Sequence, residues 1–262
     1  MDTLDRLTQD TFQRVESGYY SSVASTDDAR PGPSFVSAIA RAQSADRLAV
    51  VTEIKPASPS AGRLLDDPDR NVPQVIEAYA QGGADGLSVL TDATHFGGSL
   101  DYLHQASQTG LPTLMKDFLL TEAQLNAARA CGASAVLLIL TLFRRAYTEL
   151  EPTDMIATAH ERGLEVLLEV NGSDEYGDAL GTNADMIGIN NRDLSNLTLD
   201  LGTTERVLAR HRKDRPVWAL SGVESRDDMI RMRTAGADAV LVGTSLVRSE
   251  HPGQALQALL AP

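Results

Sequence analysis

Four times along this 262-residue chain a triplet of small residues stands directly before an apolar run, and that arrangement leaves few folds open. The triplets are Gly83-Ala84-Asp85, Gly132-Ala133-Ser134, Asn183-Ala184-Asp185 and Gly236-Ala237-Asp238, and the runs cover 87–90, 135–139, 186–189 and 239–242. A glycine or asparagine in that place reads as the left-handed residue that ends a helix. The triplets are spaced by 49, 51 and 53 residues. That is about twice one strand–helix unit, so a second strand is expected midway in each interval. Residues 113–116, 165–170 and 216–220 supply it, and 49–55 completes a set of eight.

Between the strands, residues 72–81, 122–130, 153–162, 174–180, 203–212, 226–234 and 252–260 carry apolar side chains at helical spacing. Most strands are near-continuous apolar runs, as parallel strands covered on both faces should be. Eight such strands alternating with helices predict an α/β fold, a (β/α)8 TIM barrel spanning 49–262. A doubly wound open sheet would need a glycine-rich dinucleotide loop after its first strand, and none is present. Residues 1–48 lie outside the repeat. Leu4, Leu7, Phe12 and Val15 make a weak amphipathic helix, 21–34 reads as a loop, and 35–42 as a second short helix. These hold too few apolar residues to fold alone, so 1–48 is expected to be an N-terminal helical extension packed on the barrel.

A net charge of -13 argues against binding to nucleic acid or to an anionic membrane. An anionic substrate must then be drawn in by a local positive patch. The single cysteine, Cys131, allows no intramolecular disulfide and suits a reducing, cytoplasmic compartment. The acidic start of the chain is unlike a secretory signal, and no apolar run approaches the ~20 residues of a membrane span. No histidine stands at ligand spacing from a second His, Cys or carboxylate, so no metal is expected. The expected state is a monomer or weak homo-oligomer.

In a barrel of this kind chemistry sits at the carboxyl ends of the strands. Those ends offer Glu53 and Lys55, Thr91 and Asp92, Lys116 and Asp117, Glu169 and Asn171, 190–193, Ser221 and Gly222, and Gly243, Thr244 and Ser245. Strand four ends apolar, with Leu137, Leu138 and Ile139. Strand alternation points Glu53 and Lys55 the same way, and burying both charges is costly unless they have a task. Each has an ordinary reading as well. Glu53–Lys55 fits a structural ion pair, Lys116 a solvated strand end, and Asn190-Asn191 a turn. Glu169, inside a leucine-rich strand, is harder to explain without a partner. The last two loops, Ser221-Gly222 and Gly243-Thr244-Ser245, have the small residues that phosphate sites in this fold use. No serine stands in a nucleophile elbow, and Cys131 precedes a strand at the wrong end for a catalytic thiol.

These segments resemble a known family. The run Glu53-Ile54-Lys55-Pro56-Ala57-Ser58-Pro59-Ser60 is similar to the first-strand signature of indole-3-glycerol-phosphate synthases. So are Ser88-Val89-Leu90-Thr91-Asp92 with Phe96-Gly97-Gly98-Ser99, and Leu114-Met115-Lys116-Asp117-Phe118. Leu168-Glu169-Val170, the run from Ile187 through Asn190-Asn191-Arg192-Asp193 to Leu194, Ser221-Gly222-Val223 and Val242-Gly243-Thr244-Ser245-Leu246 fit as well. The resemblance runs from about Phe35 to the C-terminus. It implies ring closure, decarboxylation and dehydration of 1-(2-carboxyphenylamino)-1-deoxyribulose 5-phosphate to indole-3-glycerol phosphate, in tryptophan biosynthesis, without a cofactor or metal. It implies Lys116 as general acid, and Lys55 as holder of the substrate carboxylate and a donor to the departing hydroxyl. Glu169 is implied as stabiliser of the cationic intermediate or acid/base partner, and Glu53 as base for the final proton loss. Asn190 and Ser221 would orient substrate. Ser58, Gly222, Gly243 and Thr244 would bind phosphate, with Arg192 beside them. Phe96, Phe118, Leu137, Leu138 and Leu194 would wall the aromatic ring.

The chain departs from that pattern at Leu220, where the family usually has glutamate, and at Pro56, where it often has a basic residue. The departures leave open a divergent paralogue in secondary metabolism with reduced activity or an altered substrate, and a barrel that binds phosphate ligands without turnover. A phosphoribosyl-anthranilate isomerase would want an acid/base pair at strands one and five that includes a thiol or carboxylate, and Cys131 is misplaced for it.

Overall fold

The computed structural model describes residues 2–22, 32–59, 61–193 and 195–261. Eight parallel strands close into a barrel: β1 Ala49–Ile54, β2 Gly86–Leu90, β3 Thr113–Lys116, β4 Ala135–Ile139, β5 Glu165–Val170, β6 Met186–Asn190, β7 Val217–Leu220 and β8 Ala239–Val242. Each pairs with its sequence neighbours, and β8 closes onto β1 through Ala49–Ala239 and Val51–Leu241. Around the barrel run α3 Pro68–Gly82, α4 Leu100–Ser107, α5 Glu122–Ala130, the short α6 Leu140–Arg144, α7 Pro152–Glu161, α8 Ser173–Leu180, α9 Gly202–Arg210, α10 Arg226–Ala235, the short α11 Thr244–Val247 and α12 Pro252–Leu260. Before the barrel come α1 Thr3–Glu16 and α2 Phe35–Ser44. The reading of 21–34 as a loop falls mostly outside the described residues. Helix α4 escaped the periodicity count; its eight residues are too few for a clear period, although the Ser99 cap at its start is a fair signal.

The triplets acquire a physical reason. The polar residue that ends each one reaches across to the preceding strand. Asp85 accepts the Val50 N–H at 2.9 Å, Asp185 that of Val166 at 2.7 Å, and Asp238 that of Val217 at 2.9 Å, while Ser134 accepts that of Thr113 at 3.1 Å. Arg47, His160 and Lys213 pair with the three acids. The same stitch thus closes the amino end of the barrel four times, pairing strands two by two. Gly83, Gly132 and Gly236 take left-handed φ as expected, but Asn183 does not. There Gly181 stays right-handed, and the Thr182 hydroxyl accepts the Ala184 N–H at 3.3 Å.

Side-chain parity divides the core into two layers. Val50, Ile54, Val89, Met115, Leu138, Leu168 and Ile189 face the helices, and Val51, Leu114, Leu137, Ile139, Leu167, Trp218 and Leu241 fill the barrel. The N-terminal segment serves both ends of that inner core. Phe35 of α2 plugs the amino end, its ring 5.2 Å from Trp218 and tight against Gly86, where a Cβ would lie 2.4 Å from it. Glu165 fixes the plug by accepting the Ser34 hydroxyl and the Phe35 N–H at 2.5 and 2.7 Å. Helix α1 lies over the opposite mouth. Its buried stripe is Leu4, Leu7, Thr8, Thr11 and Arg14, whereas Phe12, expected on the apolar face, is 37% exposed. Three of those five are polar: the Thr8 and Thr11 hydroxyls donate one turn back to the Leu4 and Leu7 carbonyls, and Arg14 meets buried carboxylates.

Candidate active site

Register sets which side chains meet. In a barrel whose strands slip by about eight residues per circuit, alternate strands contribute to each inward layer. Following the pairings round, Glu53 of β1, Lys116 of β3, Glu169 of β5 and Leu220 of β7 fall into one layer. The layer above holds Leu90, Ile139, Asn190 and Gly243, and the one below holds Ser88, Leu137, Gly188 and Leu241. Lys55, one inward position beyond Glu53, leans over the ring. Two small residues make room for it. A Cβ on Gly243 would lie 2.7 Å from Glu53 Oε2, and one on Gly188 would lie 2.7 Å from Leu220 Cδ1.

Glu53 Oε2 lies 2.5 Å from Lys55 Nζ, and Oε1 lies 3.8 Å from Lys116 Nζ. Asn190 Nδ2 donates to Glu169 Oε1 at 2.9 Å, and its Oδ1 accepts the Arg192 N–H at 2.9 Å, so the amide has one orientation. Both glutamates are buried, yet they diverge. Burial pushes Glu53 up, but Lys55 and Lys116 outweigh it and hold the carboxyl below its usual range. Burial also pushes Glu169 up, and Lys116 and Asn190 only partly offset it, leaving it raised. The two lysines thus favour the ionised form at Glu53, while burial disfavours it at Glu169.

These groups face one cavity of about 150 Å³. Glu53, Lys55, Lys116, Glu169 and Asn190 line its floor. Ser58, Ser221, Gly222, Gly243 and Thr244 form one rim, with Arg192, and Phe96 and Phe118, centroids 6.4 Å apart, form the other. Successive left-handed residues, Ser221 at φ 64° and Gly222 at φ 84°, turn the backbone sharply at this rim, which Gly243 shares. The Ser245 hydroxyl, buried without a hydrogen-bond partner among the described residues, lines the same rim. Two expected wall residues are misplaced. Leu138 points outward into the helix layer, and Leu137 lies beneath the ring; Ile139, one parity step higher, lines the cavity instead. Leu194 lies outside the described residues. Thr3 and Leu7 from α1, and Leu197 and Leu241, join the wall unannounced by any motif. Asp92 and Asp117, also at strand ends, turn away from the cavity toward α1. Cys131 is buried at the end of α5, and burial pushes its thiol up to about 12, so it is no nucleophile. No three His, Cys, Asp or Glu among the described residues group as a metal site, and no helix there is long and apolar enough to cross a membrane.

The family model for indole-3-glycerol phosphate synthase matches residues 5–259. The chain belongs to the indole-3-glycerol phosphate synthase family. It is 38% identical over 266 residues to the indole-3-glycerol phosphate synthase of Azospirillum brasilense, covering 99% of each chain. Against that of Haloarcula marismortui it is 43% identical over 208 residues, covering 79% of this chain and 74% of the relative. Indole-3-glycerol phosphate synthase 2 of Ralstonia nicotianae is 39% identical over 224 residues, 85% and 81% of the two chains. The match begins at residue 5 and so takes in α1 and α2, further than the motifs alone reach. Among solved structures, thiamine phosphate pyrophosphorylase from Pyrococcus furiosus superposes with a TM-score of 0.56 at 16% identity, over 82% of this chain and 93% of that one. That likeness concerns the fold alone. Synthases of this family are carboxy-lyases of tryptophan biosynthesis.

Proposed function

We propose that this chain closes the indole ring, converting 1-(2-carboxyphenylamino)-1-deoxyribulose 5-phosphate to indole-3-glycerol phosphate, carbon dioxide and water. The observation that carries the reading is the shared cavity of Glu53, Lys55, Lys116, Glu169 and Asn190 between a rim of small residues and an aromatic wall. The phosphate sits between Ser221-Gly222 and Gly243-Thr244-Ser245, with Ser58 and Arg192 beside it. The aromatic ring lies against Phe96, Phe118 and Ile139, and Lys55 holds its carboxylate.

In that pose the ring carbon bearing the carboxylate attacks the ketone carbon. Lys116 gives its proton to the ketone oxygen, which becomes a hydroxyl. The carboxylate leaves as carbon dioxide and its bonding electrons restore the ring. A second proton, from Lys55, takes the hydroxyl off as water. Loss of a proton from the adjacent carbon completes the indole. The family resemblance implies Glu53 for that last proton, but the electrostatics favour Glu169. Glu53 is held ionised by two ammonium groups and is a weak base, whereas Glu169 is raised toward working pH. Glu53 then serves to keep both lysines charged and in place.

One observation favours a second reading, a barrel that binds without turnover. Leu220 occupies the ring position where the family usually has glutamate, and it is 1% exposed. Mixing the chain with the substrate and following indole fluorescence separates the two. Growth of product above a Lys116→Met control supports synthesis; tight binding without growth sinks it. The chain is proposed to work in the cytoplasm as a monomer or weak oligomer, consistent with its lone buried thiol.

A further inference from the structure

Behind the aromatic wall, the last turn of α1 sends Arg14 into a nest of acids. The guanidinium side chain is 8% exposed, and its Nη2 lies 3.0 Å from Asp92 Oδ2 and 3.3 Å from Asp117 Oδ1, both on fully buried carboxylates. Asp117 also accepts the Tyr20 and Thr91 hydroxyls, each at 2.7 Å, and the Phe118 N–H at 2.8 Å. Asp92 accepts the His95 N–H at 2.7 Å. Arg14 completes its own shell by donating to Thr11, Tyr20 and Thr94 at 2.8, 3.3 and 3.4 Å.

The location matters more than the pairing. Asp92 begins the loop after β2 that carries Phe96. Asp117 stands between Lys116, at the end of β3, and Phe118. The rung that joins the two strand ends is the Thr91 N–H donating to the Lys116 carbonyl at 3.2 Å. One buried cation therefore bridges the two strand ends that bear the acid and both aromatic rings. Without it, two carboxylates would share a dry site with no counter-charge, so one must take up a proton or the strand ends must part.

We propose that Arg14 is a positioning residue for the synthase reaction, clamping the ends of β2 and β3 through Asp92 and Asp117 so that Lys116 and the Phe96–Phe118 wall are aimed at the substrate. The inference rests on Lys116 being the acid. Because the cation arrives on α1, whose Thr3 and Leu7 line the cavity, covering the mouth and aiming the acid are one event. A helix that only needed anchoring to the barrel already has Asp10 on His95 and Asp2 on Arg145.

The test uses the full chain. Arg14→Met lowers kcat by about 10- to 100-fold, the loss typical of a small misplacement of a reacting group. The solvent deuterium isotope effect on kcat rises, because proton delivery by a misaimed Lys116 becomes the slow step. Inhibition by inorganic phosphate is unchanged, since that rim lies across the barrel. Adding Asp117→Asn to Arg14→Met recovers part of the loss, and Arg14→Lys loses less than Arg14→Met. A kcat per folded molecule within about twofold of the parent, or a loss with an unchanged isotope effect, overturns the proposal. Should Arg14→Met not fold, Tyr20→Phe and Thr91→Val, which each delete one hydrogen bond to Asp117, carry the test. Both must lower kcat several-fold with the same isotope signature, and parental values in both overturn it. Lys116→Met checks the underlying assignment. Near-parental turnover there rejects Lys116 as acid, whereas an inactive Lys116→Met beside an unaffected Arg14→Met rejects the clamp alone.

Discussion

Gly243→Ala is the sharpest small perturbation the ring offers. The new Cβ would lie 2.7 Å from Glu53 Oε2 and 2.9 Å from Glu53 Cβ, where ordinary contact begins at 3.4 Å. Glu53 must retreat by about 0.7 Å, and its far end cannot do this alone because its Cβ is crowded as well. Either β1 shifts, carrying Lys55 with it, or the carboxylate swings off the 2.5 Å contact with Lys55. Displacements near 1 Å commonly cost on the order of 10²-fold in rate. Gly188→Ala is a matched comparison: its Cβ would also lie 2.7 Å from a neighbour, but that neighbour is the methyl of Leu220, which can rotate away. Overpacking there costs about 1–3 kcal/mol of stability and leaves the charged members in place. In a continuous indole-fluorescence assay at saturating substrate, with folding checked by circular dichroism, Gly243→Ala should lose about 10- to 100-fold in kcat. Gly188→Ala should stay within about threefold while its Tm falls. A parental kcat for Gly243→Ala, or a larger kcat loss for Gly188→Ala, refutes the geometry of the ring.

Further outcomes follow from the same geometry. The raised Glu169 must ionise to take a proton, so the acid limb of the kcat profile lies above an ordinary glutamate's pKa; a limb at or below about 4.3 contradicts that role. The same shift has a stability consequence. A carboxyl whose folded pKa exceeds its unfolded value contributes stability fully below the unfolded pKa and loses it as pH rises through the folded one. Glu169→Gln is therefore inactive yet more stable than the parent at pH 8, and the gap in Tm closes toward pH 4; a gap independent of pH counts against the shift. Leu220→Glu adds a third carboxylate to the layer of Glu53 and Glu169, so the acid limb moves up by about one pH unit as Tm falls; an unmoved limb places Leu220 outside the ring. Asp238→Ala leaves the Val217 N–H without its acceptor and takes one carboxylate partner each from Lys213 and Gln43, and should cost about 1–3 kcal/mol in urea unfolding, more than Ser134→Ala, which loses a single neutral bond.

The barrel was legible because its repeat is local: small residues, an acid and an apolar run recur within a few positions of one another. The catalytic ends were legible for a similar reason, since strand alternation alone puts Glu53 and Lys55 on one side. The wall of β4 was not. A parallel strand buried on both faces has no polar alternation, so nothing in Leu137-Leu138-Ile139 says which side chain looks inward or at what height; register decides it, and register is a property of all eight strands. No local pattern gives the acids of the triplets their acceptor role, because that role spans two strands. Arg14 was invisible for the same cause. It sits in a weakly amphipathic helix and is buried by Asp117, 103 residues away, a contact that no local pattern announces. Asn183 shows the converse, a residue suited to a left-handed cap in a turn that a neighbouring threonine satisfies instead.

A crystal structure of the chain with indole-3-glycerol phosphate bound tests the central claim most directly. The account places the phosphate between Ser221-Gly222 and Gly243-Thr244, the indole against Phe96, Phe118 and Ile139, and Lys116 Nζ and Glu169 within hydrogen-bonding reach of the closed ring. A phosphate seated elsewhere, or an indole out of reach of both Lys116 and Glu169, would contradict it.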